Sequence, residues 1–173
     1  MKKLFAILTI LCMLAMGAAV AESNTWEEIG QPAVEAYGLE GDFVTLNDMG
    51  LALWLPSTMV ATEPSEEDAA AGRYALFVDE DGECALTVDV INVEGMTLDQ
   101  ALQNATDSGM TEPEITNING LDVLGYSDPN TNSGVMVLVD TNCNMIIFSF
   151  TPIDSEVGQI AFGVISSSLM PAA

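Results

Sequence analysis

The sequence predicts an α+β fold, an antiparallel sheet flanked by helices on both faces, and three observations lead there. Runs rich in β-branched and aromatic residues are separated by short turns built on Asn, Asp and Gly, which is the spacing of hairpins and not of helical crossovers. Two other segments, from Thr97 and from Asp154, repeat their apolar residues with the helical period. The resulting order is a helix, four strands, a helix, four strands and a helix, with no internal repeat and no low-complexity linker, so a single domain over residues 22–173 is expected.

Thr25-Trp26-Glu27-Glu28 has the form of a capping box and predicts a short helix that Pro32 breaks or restarts and that ends before Gly38. Its buried stripe would be Trp26, Ile29, Ala33 and Tyr37. Phe43–Leu46 and Leu51–Leu55, the latter stopped by Pro56, are the first two strands. Pro64-Ser65-Glu66-Glu67-Asp68 starts a helix of one or two turns before Gly72. Tyr74–Val78 and Glu83–Ile91 form a hairpin around Asp79-Glu80-Asp81-Gly82, with Leu86, Val88 and Val90 on the apolar face beside Cys84.

Thr97-Leu98-Asp99-Gln100 is a second capping box, and Leu98, Ala101, Leu102 and Ala105 give the helix that follows one apolar stripe to Gly109. Glu114–Ile118 and Leu121–Ser127 flank Asn119-Gly120, a strong hairpin signal because both residues accept a positive φ. Val135–Asp140 and Met145–Thr151 are apolar on both faces, which places them centrally with cover on each side. The last helix is capped by Asp154 or Ser155 and buries Val157, Ile160, Ala161, Val164, Ile165 and Leu169.

Lys2 and Lys3, the apolar run Leu4–Met16 and the small residues Gly17–Ala21 have the layout of a secretory signal peptide, with cleavage expected after Ala21. The run is too short to span a bilayer. Cys12 follows the bulky Leu11, which argues against lipid anchoring, so the expected product is an extracellular protein with no membrane span. Of the 3 bases in the whole chain, that product keeps Arg73 alone against 26 acids, and it has no His. A Ser-His-Asp triad, a Schiff-base lysine, a histidine metal site and a basic phosphate cradle are all impossible. Nucleic acids and anionic membranes would be repelled. Basic proteins, cations and uncharged ligands remain as partners.

Leu53-Trp54-Leu55-Pro56 closing an early strand, the helix from Thr97, the Asn119-Gly120 hairpin, and Phe148-Ser149-Phe150-Thr151-Pro152 ahead of a helix ending Ser166-Ser167-Ser168-Leu169 together resemble the PsbP-like proteins. That superfamily includes the extrinsic photosystem II subunit, Mog-type Ran-release proteins and small exported bacterial proteins. The resemblance covers most of residues 22–173 and implies an α-β-α three-layer sandwich acting as a binding or accessory domain. It carries no catalytic signature. The absence of His, and of Lys beyond residue 3, departs from the better-known members, so no metal or partner residue is transferred.

The expected function is thus a secreted, non-enzymatic binding or accessory domain with an acidic surface, monomeric, with no cofactor and no assigned catalytic or metal residues, whose partner is a protein or a cationic ligand. Two alternatives stand beside it. Paired carboxylates with Trp26 or Trp54 as a sugar platform would make an extracellular hydrolase. Asp128-Pro129-Asn130-Thr131-Asn132 and Asp140-Thr141-Asn142-Cys143-Asn144 both read D-x-N-x-N and would make a calcium-binding module, although neither has the Gly and Glu of an EF-hand at the sixth and twelfth positions. Simple turn chemistry explains the same residues. Cys84 and Cys143 form an even pair in an exported chain and are the disulfide candidate, a bridge worth ~4 kcal/mol on a loop-entropy argument.

Overall fold

The alternating runs become strands and the capped, 3.6-period segments become helices throughout residues 25–172, the part of the chain that the computed structural model describes. In chain order these are α1 (Gly30–Tyr37), β1 (Gly41–Leu46), β2 (Leu51–Pro56), β3 (Met59–Thr62), α2 (Glu66–Ala70), β4 (Arg73–Asp79), β5 (Ala85–Asn92), α3 (Leu98–Asp107), β6 (Thr111–Ile118), β7 (Leu121–Asp128), β8 (Ser133–Val139), β9 (Asn144–Thr151), α4 (Glu156–Ser168) and β10 (Met170–Pro171). The strands form a seven-stranded sheet ordered β3-β4-β5-β9-β8-β7-β6 and a three-stranded sheet ordered β1-β2-β10. Their registers are antiparallel, as expected of an α+β fold. The signal-peptide reading, residues 1–21 with cleavage after Ala21, lies outside the described residues. Among the described residues no helix is long and apolar enough to cross a membrane.

The chain divides into two compact units. One contains residues 58–115 and 123–158 and holds most of the large sheet. β9 and β8 are central in it, as their two-sided apolar character predicts. Leu86, Val88, Phe148 and Phe150 fill one face and are buried to within 1%. On the other face, α3 lays Ala101 over Leu124, Val135 and Val137. Its start is the predicted capping box: Thr97 Oγ1 accepts from the Gln100 N–H and the Gln100 side chain accepts from the Thr97 N–H.

The other unit contains residues 25–57, 116–122 and 159–172. Ala33, Trp54 and Val164 centre its core, with Trp26, Val34, Tyr37, Leu39 and Ile160 packed around them. Trp26 stacks on Trp54 at 6.1 Å between ring centroids and meets Phe43 edge-on at 5.3 Å. Helix α1 starts at Gly30, later than the Thr25 box predicts. The delay puts Pro32 in the first turn, where its missing N–H costs nothing, and residues 26–29 form turns instead. Gly30 is obligatory there, because a Cβ would lie 2.1 Å from the Trp26 ring.

Two strands were not legible. β3 is four residues at a sheet edge and largely exposed, and β10 is two residues, so neither displays a period. Val157, expected in the α4 stripe, is 73% exposed because it lies in the first turn, ahead of the buried run Phe162–Ile165.

Asn119 does more than turn a hairpin. Its φ of 47° and the 85° of Gly120 are those the Asn-Gly pair was expected to adopt. Its Oδ1 accepts from the Trp26 N–H at 2.7 Å, and its Nδ2 donates to the carbonyls of Ser167 and Leu169 at 2.8 and 2.9 Å. One neutral side chain thereby ties the entry of α1 and the exit of α4 to the hairpin tip. Asn119→Gly keeps the backbone conformation and removes only these bonds, so we expect a loss of about 2–3 kcal/mol in urea unfolding followed by Trp fluorescence. A loss under about 0.5 kcal/mol would make the side chain incidental.

Candidate functional site

Two features on one face of the seven-stranded sheet set it apart from plain core. Directly opposed residues of antiparallel strands share a face. The registers Val60↔Val78↔Ala85↔Thr151 and Thr62↔Leu76↔Thr87↔Ser149 therefore place these eight residues on the side that α3 covers further along, over β7, β8 and β9. Over β3, β4 and β5 this face stays half-buried or exposed, with Val60 at 53% and Ile91 at 41%. Its polar centre is the Arg73–Asp89 ion pair, Nε to Oδ1 at 2.5 Å, so the single base of residues 25–172 is already engaged. The acidic turn Asp79-Glu80-Asp81-Gly82-Glu83 closes one end, and α2 brings Glu66, Glu67 and Asp68 beside β4. The result is a small-residue and β-branched strip rimmed by carboxylates.

The second feature is a cleft of about 270 Å³ beneath α3. Its floor is Leu124, Val137 and Ile147, its walls include Met96, Met110 and Met145, and Tyr126 and Asp128 stand together on β7. Asn104 and Ser108 belong to the helical rim. Burial, assisted by the Asp128 charge, pushes the Tyr126 phenol above its ordinary range and keeps it protonated. Asp128 is held below the usual carboxylate range chiefly by the Asn130 backbone N–H; desolvation opposes it, and the side chains of Thr131 and Asn130 add to the lowering.

The D-x-N-x-N segments are turns whose aspartates serve local donors. Asp128 Oδ1 accepts from Asn130 N and Nδ2 at 2.8 and 3.1 Å, and Oδ2 accepts from Thr131 Oγ1 at 2.9 Å. Asp140 Oδ1 accepts from the N–H groups of Asn142 and Asn144 at 2.7 and 2.8 Å, and its Oδ2 from Asn144 Nδ2. Desolvation would raise the Asp140 carboxyl, but the bonds from Asn144 and Asn142 outweigh it and lower its pKa.

No protein-family model and no curated protein matches the chain. Among solved structures it is similar to cyanobacterial PsbP (CyanoP) from Synechocystis sp. PCC 6803, with a TM-score of 0.55 and 14% identity over 76% of this chain and 92% of that one. The fold is PsbP-like. A further similarity, to the Ran-binding protein Mog1p of Saccharomyces cerevisiae, has a TM-score of 0.41 and 13% identity over 77% and 96% of the two chains.

In this PsbP-like fold the remaining candidates do not converge. Cys84 and Cys143 are both free thiols. Residue 85 opposes Thr151 and residue 92 opposes Asn144, so the two cysteines sit at opposite ends of the β5–β9 pair. About nine residues of strand put them ~30 Å apart, far beyond the ~7 Å Cα separation that a disulfide tolerates. The expected pairing is therefore corrected: compartment and even count permit a bridge, but strand register forbids it within one chain. Burial, and then the charges of Asp79 and Glu83, push the Cys84 thiol up. Trp54 is 4% exposed and Trp26 packs on it, so the sugar-platform reading finds its aromatics in the core. The cleft escaped sequence reading because Ala101 and Ala105 at helical spacing, with methionines on separate segments, look like ordinary core. Thiol titration of the monomeric protein beginning at residue 22, denatured without reductant, should return two reactive thiols, and none would restore the bridge.

Proposed function

We propose that this chain is a secreted, non-enzymatic binding or accessory domain that docks a basic, partly apolar protein segment on the open part of its sheet. The observation that carries the reading is the strip over β3, β4 and β5, where Val60, Leu76, Val78, Ala85 and Ile91 surround the Arg73–Asp89 pair, rimmed by carboxylates and lacking an unengaged base. Such a surface complements alternating apolar and cationic side chains, and the rim charges would speed encounter while the strip supplies contact area. A second copy of the chain is a poor occupant, since each copy presents the same negative rim. The signal-like leader and the PsbP-like scaffold support the same reading, as does a composition that lacks His and offers no activated nucleophile.

A synthetic peptide of alternating lysine and valine is a direct probe. It should bind the native protein with an affinity that falls as sodium chloride rises, whereas an alternating glutamate and valine peptide should not bind. Val60→Arg combined with Thr87→Arg adds two positive charges to the strip, at one exposed and one half-buried position, and should weaken binding at least about tenfold. Equal binding by the variant, or no binding of the lysine peptide, would refute this docking surface.

A further inference from the structure

We propose that the cleft beneath α3 is a binding site for a small amphipathic cation of the alkylammonium class, with the apolar body among Met96, Met110 and Met145 and the charged head at Tyr126 and Asp128.

The helix leaves the space open through its own sequence. Ala101 and Ala105 are the buried residues of α3, and both line the cleft, where longer side chains would have filled the gap to the floor of Leu124, Val137 and Ile147. Three thioether side chains bordering one small cavity give an adaptable apolar wall, since Met has no branching and repacks easily around a guest. A volume of about 270 Å³ lies near the lower limit of small-molecule sites and suits a short chain.

Apart from Asn104 and Ser108 on the helical rim, the polar lining is Tyr126 and Asp128. Tyr126 and Asp128 are two residues apart on β7 and so project from the same face of the sheet. Asp128 Oδ1 already accepts two bonds and Oδ2 one, which leaves Oδ2 able to accept from one further donor. The Tyr126 ring offers a cation an aromatic face as well. Arg73, the sole base of residues 25–172, is bound to Asp89, so an anionic head would meet an uncompensated negative field, and a neutral hydroxyl would donate a bond to the carboxylate without the charge attraction. This site is separate from the open strip and does not depend on it.

The test uses hexylammonium, hexanol and hexanoate as probes and reads the methyl signals of Met96, Met110 and Met145 by NMR. Hexylammonium should shift all three saturably below about 10 mM. Hexanol should bind about fivefold more weakly, and hexanoate more weakly still. Asp128→Asn should bring hexylammonium down to the hexanol level. Ala105→Leu should abolish binding by filling the space. Because that variant alters buried packing, Asn104→Trp, at an exposed rim position, provides bulk over the mouth without touching the core and should also block entry. No saturable shift with hexylammonium, equal affinity for all three probes, or full binding retained by both filling variants would overturn the proposal.

Discussion

A chain of 26 acids whose residues 25–172 keep one base cannot neutralise itself, and most of what is distinctive here follows from that constraint. Carboxylates without partners are costly to bury, so they stay at the surface, and polar ties inside must be made by uncharged groups. Asn119 joins three stretches of chain. Ser168, with no exposure, accepts from the Trp54 N–H at 2.8 Å and donates to the Ile165 carbonyl at 2.6 Å. Where acids do serve structure, as at Asp128 and Asp140, they accept from N–H and O–H donors of their own turns. The one ion pair found among the described residues, Arg73–Asp89, leaves no cation to spare.

The same constraint shapes both candidate sites. They share one face of one sheet, which α3 covers over β7, β8 and β9 and leaves open over β3, β4 and β5. Apolar residues supply the contact in each place, and carboxylates decide the sign of what can approach. In this PsbP-like fold the two proposed sites need little beyond the sheet itself: the open strip over β3, β4 and β5, and two alanines, Ala101 and Ala105, on the covering helix.

The fold was largely legible because the local signals agreed with one another. Alternation gave β5, two-sided apolarity gave the central place of β8 and β9, and the Thr97 box gave the start of α3. What sequence could not show was distance. Cys84 and Cys143 satisfied every compositional condition for a bridge, yet register sets them at opposite ends of a strand pair. Asn119 was readable as a turn residue, but the reach of its side chain to residues 26, 167 and 169 depends on tertiary placement. The cleft was hidden for the opposite reason, since methionines and alanines signal core equally well whether they close a space or leave one.

If surface repulsion is the main cost this fold bears, screening it should stabilise the protein. The most direct measurement is the melting temperature at neutral pH across a sodium chloride series from low to moderate ionic strength, where the Debye length contracts from ~30 Å to under ~10 Å. The account predicts a rise of several degrees, with calcium chloride at matched ionic strength adding little because among the described residues no three acidic or other ligating side chains converge on one point. A melting temperature that is flat or falls with sodium chloride would show that attractive pairing outweighs repulsion and would contradict the account at its base.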